Sequence, residues 1–180
     1  MKISIIGLGL IGGSIGRATL AKTDHTVFGY DIDELVITKA LMMNAIHQKG
    51  DDKTLAESDL VIIALTPQLT IEKMEEILPK LKKDAILMDC CGTKRVIVDK
   101  MRELQEQYPD INFVGVHPMA GREFSVDCLP LAVKMMWLRR LAKRKQASLL
   151  CNWGVLPNWI RPSFTNVLML WIRVLQRLWF

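Results

Sequence analysis

The feature that most constrains this sequence is a glycine-rich run close to its amino terminus. An apolar segment, Lys2–Ile6, leads directly into Gly7-Leu8-Gly9-Leu10-Ile11-Gly12, and a segment of helical character follows. In a strand–turn–helix unit the first glycine allows a tight turn, the second lets the backbone approach a pyrophosphate, and the third lets helix and strand pack closely. The run therefore predicts a dinucleotide-binding βαβ unit. The free N–H groups at the start of its helix would face the phosphates.

An acidic residue follows at the distance expected for nucleotide recognition. Asp31 ends the second predicted strand and lies 19 residues after Gly12. A carboxylate there accepts hydrogen bonds from the adenosine ribose hydroxyls and repels the 2′-phosphate of NADP. Ile32 and Asp33 supply no arginine to offset that repulsion, so the sequence favours NAD. Two alternatives are a glycine turn without a ligand, which this context disfavours, and a helix-capping role for Asp31, which Asp33 fits better.

Strand-like apolar runs alternate with helix-like stretches along the first two thirds of the chain. This alternation is typical of βαβ units and a parallel sheet. We predict an α/β fold, a Rossmann-type doubly wound parallel sheet of six strands, followed by an irregular or helical basic tail. The predicted strands are 2–6, 26–30, a short ambiguous one within 44–53, 60–65, 85–88 and 112–116, and the predicted helices are 12–21, 34–43, 70–78 and 94–107.

Three predicted loops lie at the carboxyl ends of strands, where sheets of this kind bind ligands. Thr66 and Pro67 follow one strand, residues 89–94 follow the next, and His117 follows the last. His117 lies in a turn fixed by proline and glycine. Imidazole groups titrate near neutral pH, so it could take a proton from a substrate hydroxyl while hydride leaves the same molecule. The alternative is a histidine that only stabilises its loop.

The four cysteines favour a reducing, cytoplasmic environment. Cys90, Cys91, Cys128 and Cys151 show neither zinc-site spacing nor a disulfide framework, and we predict no metal site. A nucleophilic thiol at Cys90 or Cys91 is disfavoured, because no activating neighbour is evident and strand alternation should turn one of the two into the core. No apolar stretch reaches the ~20 residues of a membrane span, and the amino terminus is interpreted as a strand rather than a signal peptide.

The net charge of +5 hides a sharp division of the chain. Residues 1–127 contain 15 Lys and Arg and all 19 Asp and Glu, whereas residues 128–180 contain nine Lys and Arg and no acidic residue. All five tryptophans also lie in the second part. Composition alone therefore predicts two regions, with the boundary near residues 124–128.

Five segments together resemble the prephenate dehydrogenase family. They are residues 7–14 (Gly-Leu-Gly-Leu-Ile-Gly-Gly-Ser), Tyr30-Asp31, the loop 64–67, the loop 89–94, and the run 117–123 (His-Pro-Met-Ala-Gly-Arg-Glu). The last is the most specific, because other dehydrogenases with the glycine motif lack that loop. The resemblance covers residues 1–125 and implies an NAD-binding Rossmann domain there.

The resemblance also implies an activity and its residues. Members oxidatively decarboxylate prephenate to 4-hydroxyphenylpyruvate in tyrosine biosynthesis, with NAD as hydride acceptor. It assigns His117 to hold and deprotonate the ring hydroxyl. Many members have a serine where this chain has Gly92, so that orienting contact is lost or passes to Thr93. The expected cofactor-binding residues are Gly7, Gly9, Leu10, Ile11, Gly12, Asp31, Thr66 and Pro67.

The family resemblance stops at Phe124-Ser125, where a helical domain would normally follow. In members of the family that domain forms a homodimer and supplies cationic groups for the substrate carboxylates. We expect residues 126–180 to be an atypical tail in its place, as translation in a shifted reading frame would produce. A basic segment that binds membrane or nucleic acid is the competing interpretation, which no ordered stripe supports. A catalytically inactive NAD-binding fragment and another NAD-dependent dehydrogenase remain alternative functions.

Overall fold

The computed structural model describes residues 1–120 and the short segments 133–135 and 139–140. Strands and helices alternate through the first 115 residues, as the sequence predicts. The strands are β1 (Lys2–Ile6), β2 (Thr26–Tyr30), β3 (Gln48–Lys49), β4 (Leu60–Ile63), β5 (Ile86–Asp89), β6 (Asn112–Gly115), β7 (Pro118–Ala120), β8 (Val133–Met135) and β9 (Arg139–Arg140). The helices are α1 (Leu10–Lys22), α2 (Glu34–Met42), α3 (Asp52–Ala56), α4 (Pro67–Ile77) and α5 (Lys94–Gln107), with a 3-10 turn at Leu78–Lys80.

The first six strands form a parallel sheet in the order β3-β2-β1-β4-β5-β6. The chain winds outward from β1 to β3, returns to place β4 beside β1, and then winds outward on the other side. The reversal between β1 and β4 is the switch point at which doubly wound sheets bind ligands. The predicted Rossmann-type fold is confirmed for this part of the chain.

Two apolar cores lie on the two faces of the sheet. All four residues of β4 are buried, and successive residues point to opposite faces: Ile62 belongs to the core with α1 and α2, and Ile63 to the core with α4 and α5. A central parallel strand covered on both faces has this continuous apolar character. The longest helix, α5, buries Ile97, Val98, Met101 and Leu104 at helical spacing.

Local capping explains where several helices begin. Asp33 accepts a hydrogen bond from the Leu35 N–H at 2.9 Å and caps α2, which confirms the sequence interpretation. Asp51 and Thr54 form a reciprocal capping box at the start of α3. Pro67 occupies the first turn of α4, where its missing N–H is not needed.

Several predicted boundaries need correction. Helix α1 begins at Leu10 rather than residue 12, since Gly9 is its N-cap, and α4 begins at Pro67 rather than residue 70. The ambiguous region 44–53 contains β3 and the start of α3, a helix too short to show a period in sequence.

Helical structure in the basic tail is not what the structure describes there, because Val133–Met135 and Arg139–Arg140 are strands. Strand β9 pairs antiparallel with β6, and β8 with β7. The backbone groups at the open edge of β6 favour such pairing. The other residues of the predicted tail, including 166–180, lie outside the described residues. The structure therefore does not bear on the reading-frame hypothesis for them.

Candidate nucleotide and catalytic site

The three glycines of the amino-terminal motif occupy three different environments. Gly7 has a φ of +87°, and a Cβ there would lie 2.6 Å from the Ala64 carbonyl oxygen. A Cβ at Gly12 would lie 1.9 Å from the Gly7 carbonyl oxygen, so helix and turn are in direct backbone contact. A Cβ at Gly9 would meet nothing within 4 Å. The loop is therefore closed on its protein side and open at Gly9, the position predicted to approach a phosphate.

Among the described residues, no side chain caps the N-terminus of α1. Gly9 is its N-cap, makes no side-chain capping bond, and is followed by a first turn without an acidic residue. The first intrahelical bond runs from the Gly13 N–H to the Gly9 carbonyl at 2.9 Å. The N–H groups of Leu10, Ile11 and Gly12 precede it, and they lie at the positive end of the helix dipole.

Asp31 lies at the end of β2, next to the glycine loop. Its Oδ2 accepts a hydrogen bond from the Leu8 N–H at 2.9 Å, and its Oδ1 accepts one from the Asp33 N–H at 3.1 Å. Each ionised carboxylate oxygen has a further lone pair, so both can still accept a hydroxyl donor. Sequence reasoning identified Asp31 but missed the bond to Leu8.

The β4–α4 loop adjoins the glycine loop across the switch point. A Cβ at Gly7 would lie 2.7 Å from Leu65 Cδ2, immediately before Thr66. Thr66 is the exposed N-cap of α4, and its hydroxyl makes no capping bond. Thr66 and Pro67 therefore lie at the same sheet edge as the glycine loop, with the Thr66 side chain directed to solvent.

A buried ion pair lies beneath the β5–α5 loop. Asp89 is fully buried, and its Oδ2 accepts a hydrogen bond from the Cys91 N–H at 2.9 Å and pairs with the Lys94 ammonium. Burial raises the pKa of the Asp89 carboxyl, although the Lys94 charge and hydrogen bonds oppose that effect. The pair joins the end of β5 to the first residue of α5 and spans the loop between them. The sequence analysis included both residues in the loop 89–94 but did not predict this ion pair. An Asp at the end of a strand and a Lys at the start of the next helix could have indicated it.

His117 follows β6 at the same edge and is half-buried. A Cβ at Gly92 would lie 2.8 Å from His117 Cε1 and 3.2 Å from its Nδ1, so the imidazole packs against the Gly92 backbone. His117 Nδ1 is buried and has no hydrogen-bond partner among the described residues. Thr93 is exposed and is the N-cap of α5 without a side-chain capping bond. Among residues 1–118, Gly92 packs against the His117 ring. Thr93 makes no hydrogen bond to His117.

The two described cysteines are free thiols buried on opposite faces of the sheet. Strand alternation directs the two side chains to opposite faces, and both are buried because the sheet is covered on both faces. Burial raises the pKa of Cys90 to about 12 and also raises that of Cys91, so neither thiol is activated. Cys91 Sγ instead lies 3.3 Å from Thr70 Oγ1 and links the β5–α5 loop to α4.

The remaining histidines lie away from this edge. His47 is exposed and accepts a hydrogen bond from the Val27 N–H at 3.0 Å, and His25 is half-buried beside the amino terminus. In the part of the chain that the structure describes, no group of three His, Cys, Asp or Glu side chains could hold a metal ion. None of the described helices is long and apolar enough to cross a bilayer.

The fold and this edge define a class: a Rossmann-type nucleotide-binding domain with a histidine on the far side of its switch point. Comparison with protein families then makes the assignment specific. The model of the prephenate dehydrogenase nucleotide-binding domain matches residues 15–127. The chain belongs to that family.

Two curated relatives are similar over the same region. A cyclohexadienyl dehydrogenase of Zymomonas mobilis is 39% identical over 124 residues, which cover 67% of this chain and 41% of the relative. A prephenate dehydrogenase of Bacillus subtilis is 34% identical over 126 residues, covering 66% of this chain and 33% of the relative. The chain thus spans well under half the length of these curated relatives.

Solved structures give the same result. The arogenate dehydrogenase of Synechocystis has a TM-score of 0.61 and 28% identity, covering 69% of this chain and 43% of that one. The prephenate dehydrogenase of Aquifex aeolicus, in complex with hydroxyphenyl propionate and NAD+, has a TM-score of 0.53 and 26% identity, covering 68% of this chain and 43% of that one.

Proposed function

We propose that this chain binds NAD and provides the cofactor half of a prephenate dehydrogenase. The complete reaction is the oxidative decarboxylation of prephenate to 4-hydroxyphenylpyruvate in tyrosine biosynthesis. The observation that carries the proposal is membership of the family together with an open glycine loop and His117 at one edge of the sheet.

The described residues fit NAD in shape and charge. The space beyond Gly9 is open, the first turn of α1 has unused N–H groups, and Asp31 retains acceptor capacity for ribose hydroxyls. Pyrophosphate would bind at Gly9, Leu10, Ile11 and Gly12, with Gly7 shaping the turn. Thr66 and Pro67 would border the cofactor across the switch point. When bound, NAD supplies the hydride acceptor.

His117 would act as the general base. Its imidazole would take the proton of the ring hydroxyl, so that the carbon bearing it becomes a carbonyl as hydride leaves. Loss of carbon dioxide then sends the bonding electron pair through the ring to the carbonyl oxygen, and the resulting phenolate takes back the proton from the His117 imidazolium to give the aromatic phenol. Packing against Gly92 restrains the ring on one side. Thr93, beside it in the loop, is the candidate for a polar contact with substrate or histidine.

The substitution His117→Asn tests this role. We expect turnover of prephenate to fall by roughly 10²–10⁴-fold, because asparagine offers a hydrogen bond but no base. NAD affinity should stay within about twofold, since the proton transfer is made only in the transition state. The measurements are NADH formation with prephenate and titration of NAD by calorimetry. Equal losses in turnover and NAD affinity would contradict a catalytic role.

A second candidate function is an NAD-binding chain without turnover. It is favoured by Gly92, which carries no side chain to orient His117. NAD binding with no NADH formation from prephenate or arogenate would support it. Turnover with either substrate would exclude it and would also identify the preferred one.

We propose a division into residues 1–125, the NAD-binding domain, and residues 126–180, a tail encoded in a shifted frame in place of a helical dimerisation domain. The family match, which ends at residue 127, and the loss of acidic residues after Asp127 support the boundary. Sequencing of codons 120–180 in all three frames tests it. A mixed-charge helical continuation in another frame is the expected result, and a cooperatively folding helical tail in the purified chain would contradict the proposal.

We further propose that the enzyme works in the cytoplasm on a small-molecule substrate, without nucleic acid or membrane as partners. The two buried, free thiols suit a reducing compartment. A homodimer is the family's assembly by the resemblance above, and its interface would require the helical domain. Sedimentation of the full chain tests whether residues 1–180 contain such an interface: a stable dimer would place one within this chain, and a monomer would show that these residues do not provide it.

A further inference from the structure

The carboxylate of Asp31 is already engaged by the protein before any ribose binds. Its two oxygens accept hydrogen bonds from two backbone N–H groups, that of Leu8 at 2.9 Å and that of Asp33 at 3.1 Å. Leu8 is the second residue of the glycine motif and is buried, whereas Asp33 begins the segment that caps α2. One side chain therefore joins the phosphate-binding turn to the end of β2.

Among the described residues, backbone hydrogen bonds also hold the turn on either side of this contact. Gly7 holds a positive φ of +87°, and its N–H donates to the Tyr30 carbonyl at 2.8 Å. Beyond Leu8 the loop meets open space at Gly9, and the next backbone bond within the motif is that from Gly13 to Gly9. The Leu8 N–H is thus the last hydrogen-bonded group before the N–H groups that would face the pyrophosphate.

We propose that Asp31 is a positioning residue for the phosphate site as well as the ribose acceptor. Its bond to the Leu8 N–H, which we term the Asp31 latch, holds the glycine turn in the shape that presents the N–H groups of α1 to a pyrophosphate. This inference rests on the proposed NAD function. It goes beyond that function because it couples the ribose position, which distinguishes NAD from NADP, to phosphate affinity.

Two substitutions of Asp31 separate the latch from the charge. Asp31→Asn keeps an oxygen for the Leu8 N–H and removes the negative charge, and it sacrifices only the longer bond from Asp33. Asp31→Glu keeps the charge and moves the carboxylate one methylene away from Leu8. Asp33→Ala is the matched control, because it removes a nearby carboxylate that caps α2 and does not contact the turn.

The test compares ADP with adenosine as probes on the full chain. The two share the ribose hydroxyls, so the ratio of their affinities isolates the phosphates. For Asp31→Glu we expect this ratio to fall by about tenfold, the effect of losing one hydrogen bond. For Asp31→Asn and Asp33→Ala it should stay near the wild-type ratio, while Asp31→Asn alone relaxes the preference for NAD over NADP. Equal weakening of ADP and adenosine by Asp31→Glu would overturn the latch.

Hydrogen exchange of the Leu8 amide, followed by NMR without nucleotide, gives a second readout. Exchange should accelerate in Asp31→Glu and remain slow in Asp31→Asn and Asp33→Ala. Unchanged Leu8 protection in a folded Asp31→Glu chain would contradict the proposal. A wild-type chain that binds neither ADP nor adenosine would instead contradict the NAD function, and Leu8 exchange would still decide whether Asp31 holds the turn.

Discussion

At the scale of single residues, Gly9 and Gly12 belong to the same motif but have different surroundings. A methyl group at Gly12 would overlap the Gly7 carbonyl oxygen at 1.9 Å, a backbone atom that cannot move without opening the turn. At Gly9 the same methyl group would point into open space, and the backbone, with φ −66°, accepts any residue. Gly12 is therefore required by the fold, whereas Gly9 is not, and the proposed phosphate site gives Gly9 its reason.

This contrast predicts different outcomes for two alanine substitutions. Gly12→Ala should lower the free energy of unfolding by about 3 kcal/mol through overpacking. Gly9→Ala should leave it unchanged or raise it by about 0.5 kcal/mol, because alanine restricts the unfolded chain, yet reduce NAD affinity about tenfold or more. Urea unfolding and NAD titration of both variants are the measurements. Unaltered NAD binding in Gly9→Ala would remove Gly9 from the cofactor site.

At the scale of elements, α5 shows how a surface helix supports the catalytic edge. The buried side chains of α5 pack in the core that it forms with α4. Its first residue, Lys94, forms an ion pair with Asp89 at the end of β5. The loop between β5 and α5, which carries Gly92 to His117, is therefore held at both ends. Packing of the helix should control the position of that loop.

Neighbouring residues of α5 test the packing. Ile97 is fully buried and Val96 is 54% exposed, although they are adjacent in sequence. Ile97→Ala should reduce the free energy of unfolding by about 3 kcal/mol, through lost burial and a residual cavity. Val96→Ala should change it by less than about 0.5 kcal/mol. Thermal and urea unfolding measure both, and similar effects of the two substitutions would contradict the assigned helix face.

At the scale of the whole molecule, Asp59 connects two segments at the amino ends of the strands, opposite the loops at their carboxyl ends. Its Oδ2 accepts a hydrogen bond from the Lys2 N–H at 2.8 Å, and its Oδ1 one from Lys82 Nζ at 2.5 Å. Burial alone would raise the pKa of Asp59, but these two hydrogen bonds outweigh it and hold the pKa below the ordinary value. The ionised form is therefore favoured by folding.

The sign of this shift fixes a pH dependence. A lowered pKa contributes stability that is present above the ordinary Asp pKa of 3.8 and is lost as pH falls through the folded value. Asp59→Asn should therefore cost about 1 kcal/mol near pH 7, after allowance for solvent screening, and little in strong acid. Melting curves between pH 3 and 7 measure the difference. Asp110→Asn, at a weaker pair 3.9 Å from Lys83, is the control; equal pH profiles for the two variants would contradict the argument.

The sequence by itself determined the sheet, the glycine turn and the edge that carries Asp31, Thr66 and His117. Local periodicity marks strands and helices, and in a parallel βαβ array the carboxyl ends of all strands share one edge, so motif residues placed there are close without further information. The continuous apolar run of β4 was equally readable.

Only the tertiary structure decided which atoms meet at that edge. The bond from Leu8 to Asp31, the ion pair of Asp89 with Lys94, and the packing of Gly92 on His117 depend on loop shape and strand register, which residue spacing does not encode. Likewise β9 is a strand because the open edge of β6 offers it backbone partners, whereas its own residues suggested a helix. Elements and their order follow from local physics; contacts between loops follow from distances that only the folded chain sets.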